Sequence, residues 1–162
     1  MNKQKKIYIA CSFTYEDKLL TQERKTTMKV IQNYLQSELF HQRYPSLKLI
    51  IYNPSTLKIK NAWDYFSWDW GKLVYEEDKK QVDNADLIIF ISYGKGNNDG
   101  ATWEVGYAHG KHIPILVVSM IPERQESLMV LHSAHACVDG IEGLKCYNFE
   151  TMPKTTIQRT ES

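Results

Sequence analysis

The sequence has few cysteines and no long hydrophobic run, and both features restrict the class of protein. Its three cysteines, Cys11, Cys137 and Cys146, are odd in number and lack the spacing of metal ligands. We therefore expect no disulfide framework and predict reduced thiols in a cytoplasmic setting, with Cys11 a small buried residue. No apolar stretch approaches the roughly 18 residues of a membrane-spanning helix, and the basic start lacks the apolar region of a secretory signal.

Charge of neither sign dominates, because the chain has a formal net charge of +1. This balance gives no reason to expect a nucleic acid or a membrane surface as a partner. The histidines, among them His109, His132 and His135, show no metal-site spacing. No Gly-rich fingerprint follows the first predicted strand, which disfavours a flavin or dinucleotide role. We therefore expect neither a metal nor a cofactor.

With 24% charged and 43% hydrophobic residues, the 162-residue chain has the composition of one soluble globular domain. We expect this domain at 1–152, followed by a polar, disordered tail at 153–162. Apolar runs alternate with helical patterns, which predicts an α/β fold whose parallel sheet carries helices on both faces. Strands are predicted at 6–11, 47–52, 86–92, 113–119 and 143–149, and helices at 17–40, 72–82, 101–109 and 126–138.

The carboxyl ends of parallel strands form the edge where such folds bind ligands. This edge brings together the loops at 11–15 and 92–99 and the helix that carries Glu104. We expect the helix dipole to favour the ionised form of Glu104, and Gly106 and Ala108 to let the helix approach the sheet closely. An ionised carboxylate can attack an anomeric carbon. Spacing alone leaves open whether Glu104 is such a nucleophile or only compensates the helix terminus.

A resemblance to a known family bears on that choice. The segment 98–108 (NDGATWEVGYA) resembles the Asp-x-Gly-Thr-x-Trp-Glu-x-Gly-x-Ala signature of the nucleoside 2'-deoxyribosyltransferase family. The similarity extends to 6–13 (KIYIACSF), to 75–91 and to the Leu128-Met129 pair, over about three quarters of the chain. The resemblance implies a flavodoxin-like three-layer sandwich with a parallel sheet of about five strands. It also implies base exchange between 2'-deoxynucleosides and free nucleobases, through a covalent deoxyribosyl-Glu104 intermediate, in nucleotide salvage.

The same resemblance implies roles for other residues. Tyr8 matches a family tyrosine that orients the nucleophile. Asp78 matches an aspartate near the base and sugar, where a carboxyl group of raised pKa could protonate the departing base. Phe13 would offer the base an apolar face, although simple packing is an alternative. Gly100 belongs to the substrate loop.

Two positions depart from the family pattern. The signature aspartate falls on Asn98, which is therefore the expected residue to read the base, with Asp99, one residue further, as the alternative. Where the family has a neighbouring subunit's asparagine before the Leu-Met pair, this chain has Ser127. Ser127 and Met129 are therefore expected to reach the sugar of an adjacent subunit in a dimer-based homo-oligomer of up to six chains.

Two alternative functions use the same scaffold. One is hydrolysis of deoxynucleosides or their 5'-monophosphates, and the other is nucleotide binding without catalysis. The aromatic cluster at 63–70 is interpreted as packing of a lid or subunit interface, with stacking on a base as the alternative. Asp64 and Asp69 are possible polar contacts to substrate in that cluster.

Overall fold

The computed structural model describes residues 2–13, 17–94, 98–121 and 126–155. Five strands pair in parallel in the order β2-β1-β3-β4-β5. Every residue of β3 and β4 is buried, as expected for parallel strands covered on both faces. The strands are β1 (Lys3–Ala10), β2 (Leu47–Tyr52), β3 (Leu87–Ser92), β4 (Ile115–Ser119) and β5 (Ala136–Asp139).

Helices cover both faces of this sheet. One face packs against α1 (Lys18–Leu35), α2 (Glu38–Arg43) and α6 (Gly140–Cys146), through buried residues such as Ile31, Phe40 and Leu144. The other packs against α3 (Ser67–Asp83), α4 (Asp99–Gly110) and α5 (Leu128–Ser133), through Val82, Val105 and Val130. Two 3-10 turns, Pro54–Thr56 and Ala62–Asp64, precede α3. The predicted three-layer α/β sandwich is confirmed.

The predicted helix at 17–40 is two helices in the structure. α1 ends at Leu35, and Ser37 starts α2 by accepting a hydrogen bond on its side-chain oxygen from the backbone N–H of Phe40 at 3.2 Å. The apolar spacing continues across this break because both helices pack on the same face of the sheet. The apolar spacing therefore predicted correctly that 17–40 packs on one face of the sheet, but it did not predict the helix break at the Ser37 cap.

The C-terminal prediction is wrong in both of its elements. The predicted helix at 126–138 is the shorter α5 followed by β5, and the predicted strand at 143–149 overlaps α6. α6 follows β5 directly and begins at Gly140, whose φ of +60° allows the chain to change direction there. α6 packs closely on that strand, since a Cβ at Gly143 would lie 3.2 Å from Cβ of Val138. The apolar residues Tyr147 and Phe149, which suggested a strand, pack into the core.

No helix in the described part of the chain is both long enough and apolar enough to cross a membrane. Of the predicted tail, 153–155 is described and 156–162 lies outside the described residues. The hydroxyl of Thr155 accepts from the backbone N–H of Cys137 at 2.8 Å and lies 3.1 Å from the carbonyl oxygen of the same residue. The chain therefore lies beside β5 as far as Thr155.

Candidate active site

The start of α4 lies against the loop that follows β1, at the carboxyl edge of the sheet. The backbone N–H of Ala101 donates to Oγ of Ser12 at 2.9 Å, so this loop satisfies an N-terminal amide of the helix. Gly100 lies beside the same hydroxyl, because a Cβ built on it would be 3.9 Å from Oγ. Ser12 therefore fixes where the helix that carries Glu104 begins. Residues 14–15 of the first predicted loop and 95–97 of the second lie outside the described residues.

Glu104 lies in the second turn of α4, directly over β1. The hydroxyl of Tyr8, a fully buried residue of that strand, donates to Oε1 of Glu104 at 2.7 Å. The pKa of Glu104 is raised to about 7: burial raises it most, the hydrogen bond from Tyr8 lowers it, and the nearby Asp78 raises it. The pKa shift is therefore opposite in direction to the one expected from the helix terminus, because burial is its largest cause. At neutral pH about half of the Glu104 side chains are ionised.

Asp78 lies on α3 and is held by a second tyrosine. The hydroxyl of Tyr52, at the end of β2, donates to Oδ1 of Asp78 at 2.9 Å. Burial raises the pKa of Asp78 to about 6; the hydrogen bond from Tyr52 lowers it, and Glu77 raises it. Two carboxyl groups with pKa values near neutrality thus lie close together, each bonded to a phenol from the sheet.

A cavity of about 360 Å³ opens between α3 and α4 and connects these groups. Its walls include Asp78, Gly100 and Glu104, three of the residues that the sequence predicted for the site. Tyr8 contacts the same carboxylate from below. The rest of the wall is formed by Tyr75, Lys79 and Trp103. The structure therefore brings together the predicted nucleophile, its orienting tyrosine and the predicted acid.

The other predicted polar residues line a different cavity. Asn98, Asp99 and Ser127 border a space of about 350 Å³ between the start of α4 and the start of α5. Thr102 lies on the same wall, whereas Glu104, two residues on, faces the first cavity, so the two spaces lie on different sides of α4. Glu126 is buried on this wall, and neither carboxylate oxygen has a hydrogen-bond partner among the described residues.

The side chain of Asn98 is occupied by its own loop. Its Oδ1 accepts from the backbone N–H of Tyr93 at 3.2 Å, and its Nδ2 donates to the carbonyl oxygen of Gly94. Asn98 is buried, whereas Asp99 is exposed at the first position of α4. Of the two candidates for reading the base, Asn98 has the side chain already engaged, and Asp99 has the accessible one.

Phe13, Met129 and Cys11 are not among the residues that line the cavity of Glu104. Phe13 packs against the core on the α1 face, with the ammonium of Lys25 at 5.6 Å from its ring centroid. Met129 has 82% of its surface exposed. Burial raises the pKa of the Cys11 thiol to about 12, which keeps this cysteine protonated and unreactive, as expected of a small buried residue.

Sequence reasoning did not identify Tyr52 or Lys79 as part of the site, nor the structural role of Ser12. Tyr52 is the last residue of β2, which pairs with β1, and in this pairing it lies directly opposite Tyr8. Their rings stack with centroids 5.4 Å apart and planes 23° apart. The sequence did place a tyrosine at the carboxyl end of a predicted parallel strand. It did not predict that β1 and β2 are adjacent in the sheet, which is what brings Tyr52 to the site.

The aromatic cluster at 63–70 remains largely exposed. Trp63 is 99% exposed, and Trp68 lines a separate apolar cavity of about 330 Å³ with Tyr75. Tyr75 also borders the cavity of Glu104, where its ring meets Trp103 edge to face at 5.6 Å. The assignment of the cluster to a lid or an interface stays a prediction. In the described part of the chain no group of three or more His, Cys, Asp or Glu side chains could hold a metal ion.

Comparison with known proteins supplies a family. A family model described as nucleoside 2-deoxyribosyltransferase matches residues 7–144. A solved structure of the 2-deoxyribosyltransferase from the psychrotolerant bacterium Bacillus psychrosaccharolyticus is 22% identical and covers 94% of this chain and 99% of that one, with a TM-score of 0.68. A conserved protein from Enterococcus faecalis V583 is 20% identical over 83% of this chain and 82% of its own, with a TM-score of 0.49. No curated protein matches.

Proposed function

The chain belongs to the nucleoside 2-deoxyribosyltransferase family, and on this premise we propose that it exchanges the base of 2'-deoxynucleosides through a covalent deoxyribosyl-Glu104 intermediate. One observation carries the proposal. The carboxylate of Glu104 is held at Oε1 by Tyr8 and faces a cavity that it shares with the carboxyl group of Asp78. A fixed carboxylate beside a group that can carry a proton is what nucleophilic displacement at C1' requires.

In the first half-reaction, Glu104 attacks C1' of the deoxynucleoside. Because Tyr8 engages Oε1, Oε2 is the attacking oxygen. A C1'–O bond forms as the C1'–N bond breaks, the electron pair leaves with the base, and the carboxyl group of Asp78 gives that base a proton. The transition state resembles an oxocarbenium ion, as in retaining glycosidases. A 2'-deoxy sugar favours this path because it lacks an electron-withdrawing hydroxyl beside C1'.

The second half-reaction reverses these events with a different base. A ring nitrogen of the incoming base attacks C1', the ester bond breaks, and the electron pair returns to Glu104. Asp78, now a carboxylate, removes the proton from the incoming nitrogen. The starting protonation states are restored, so the cycle needs neither a cofactor nor an external acid.

The raised pKa values suit this exchange of roles. Productive encounter needs Glu104 ionised and Asp78 protonated. This is the minor singly protonated form, because the pKa of Glu104, about 7, lies above that of Asp78, about 6, but both values are close enough to neutrality for it to be populated. A carboxyl group with an ordinary pKa would hold too few protons at pH 7 to serve as an acid. Burial, which raises both pKa values, is thus part of the proposed mechanism.

We assign the remaining contacts to sugar and base to residues outside the cavity of Glu104. Neither Ser127 nor Met129 lines the cavity of Glu104 in its own chain, and Met129 is exposed, so we assign both to the site of a neighbouring copy in a homo-oligomer. Between the two candidates for reading the base we favour Asp99, because the amide of Asn98 is engaged, although both residues border the cavity beside α5 and not the cavity of Glu104. We assign Phe13 an apolar contact to the base. Cytoplasmic salvage of nucleosides is the setting that we propose.

The test is incubation with deoxyinosine and free adenine, followed by chromatography for deoxyadenosine. Wild-type protein is expected to form deoxyadenosine, Glu104→Ala is expected to form none, and Glu76→Ala, an exposed glutamate on α3, serves as the matched control. Without free base, mass spectrometry of quenched enzyme should detect one added deoxyribosyl group on wild type only. Free hypoxanthine without new nucleoside would indicate a hydrolase, and full activity of Glu104→Ala would exclude the proposed nucleophile.

A further inference from the structure

Tyr52 repeats at Asp78 what Tyr8 does at Glu104. The two tyrosines are register partners at the carboxyl ends of β2 and β1, and their rings stack with centroids 5.4 Å apart. Tyr8 donates to Glu104 at 2.7 Å, and Tyr52 donates to Asp78 at 2.9 Å. Each phenol therefore connects the sheet to one carboxyl group on the helical layer, and the stacked rings fix the distance between the two connections.

We propose that Tyr52 is a positioning residue whose hydroxyl holds the carboxyl group of Asp78 in the cavity and leaves Oδ2 to exchange a proton with the nucleobase. The proposal rests on the proposed function for the identity of the proton acceptor. The positioning of Asp78 itself does not depend on the proposed function, because it follows from the hydrogen bond that the Tyr52 hydroxyl donates to Oδ1. A proton on Asp78 then belongs on Oδ2, the oxygen that is free of the Tyr52 bond.

Several charged or titratable groups face Asp78 from the elements around it. Tyr52 comes from β2, Glu104 from α4, and Glu77 and Lys79 from α3 itself. Lys79 bonds to Asp83 at 3.1 Å, one helical turn further along. Burial and Glu77 raise the pKa of Asp78, while the hydrogen bond from Tyr52 lowers it. Loss of the hydroxyl therefore raises the Asp78 pKa further and releases the carboxyl group from its orientation.

Tyr52→Phe is the first test, since phenylalanine keeps the ring stack and removes only the hydroxyl. We expect the pH optimum of base exchange to move upward by about half to one unit, with kcat reduced about tenfold and KM changed little. Tyr107→Phe is the matched control, because it removes another phenol–carboxylate hydrogen bond, to Asp83, outside the cavity. A folded Tyr52→Phe enzyme with the wild-type profile and kcat would overturn the proposal.

Two further measurements separate positioning from general damage to the fold. In an Asp78→Asn background, Tyr52→Phe should cause no additional shift of the profile, and an equal shift in both backgrounds would contradict the inference. NMR titration of the Asp78 carboxyl carbon needs no activity. It should give a higher pKa in Tyr52→Phe, and an unchanged value would refute the hydrogen bond even if the protein proved not to transfer deoxyribose.

Discussion

Replacing Tyr8 with phenylalanine should slow the proposed reaction in a pH-dependent manner. The substitution removes the 2.7 Å hydrogen bond to Oε1 and leaves the buried ring in place. A hydrogen bond to a charged group contributes about 1.5–3 kcal/mol, which corresponds to a tenfold or larger loss of rate. Because this bond lowers the pKa of Glu104, its removal should raise that pKa from about 7 by roughly one unit.

The two parts of the loss behave differently with pH. At pH 7 the ionised fraction of Glu104 would fall from about one half to about one tenth, a roughly fivefold effect that higher pH restores. Misorientation of the carboxylate persists at every pH. Steady-state rates of deoxyadenosine formation should therefore be compared for wild type and Tyr8→Phe between about pH 5.5 and about pH 9. The ratio of wild type to variant should narrow as pH rises; a constant ratio, or a loss below twofold at pH 7, would refute the reasoning.

Three further predictions concern the same region. In denaturant titrations Glu104→Gln should be about 1–3 kcal/mol more stable than wild type above pH 7 and equal to it near pH 4, and an equal gain at both pH values would contradict this. The reason is that the Glu104 pKa is higher in the folded than in the unfolded state, so wild type loses stability as the pH rises from the unfolded to the folded pKa. Ser12→Ala should cost about 1 kcal/mol of unfolding free energy by removing the acceptor of the Ala101 N–H, and an unchanged urea midpoint would exclude this capping role. Gly106→Ala should increase the free energy of unfolding by about 0.5–1 kcal/mol, and so raise the melting temperature with activity unchanged, because the new Cβ would meet no described atom within 4 Å beyond its chain neighbours and its own helix backbone. A lower melting temperature would contradict this.

Gly106 also illustrates what local sequence conveys and what it does not. The helix around Glu104, the strands before it and the parallel sheet were predictable from apolar runs and their alternation. Ala108 is buried as expected, but Gly106 is exposed and does not contact the sheet. The face that a helix presents depends on its rotation about its axis. A helix as short as α4, with polar and apolar residues mixed around its axis, leaves that rotation undetermined.

The site itself was predictable only in part. Family resemblance identified Tyr8, Asp78 and Glu104, which the structure brings together at one cavity. Tyr52 was missed because its role requires β2 to lie next to β1, and sheet order is a long-range property. The pKa of Glu104 was predicted in the wrong direction, because a sequence locates the helix terminus but does not give the burial of the carboxyl group.

The stacked tyrosines also make the proposed catalysis depend on how the sheet edge assembles. β2 is an edge strand, and Tyr52 faces Asp78 only in the register that pairs it with Tyr8. A slip of one residue would turn Tyr52 to the opposite face of the sheet, while most of the core, formed by the inner strands, would stay intact. Such a molecule would keep a nearly native circular dichroism spectrum. Enzymatic activity recovered after refolding should thus measure the fraction of molecules whose edge strand has paired correctly.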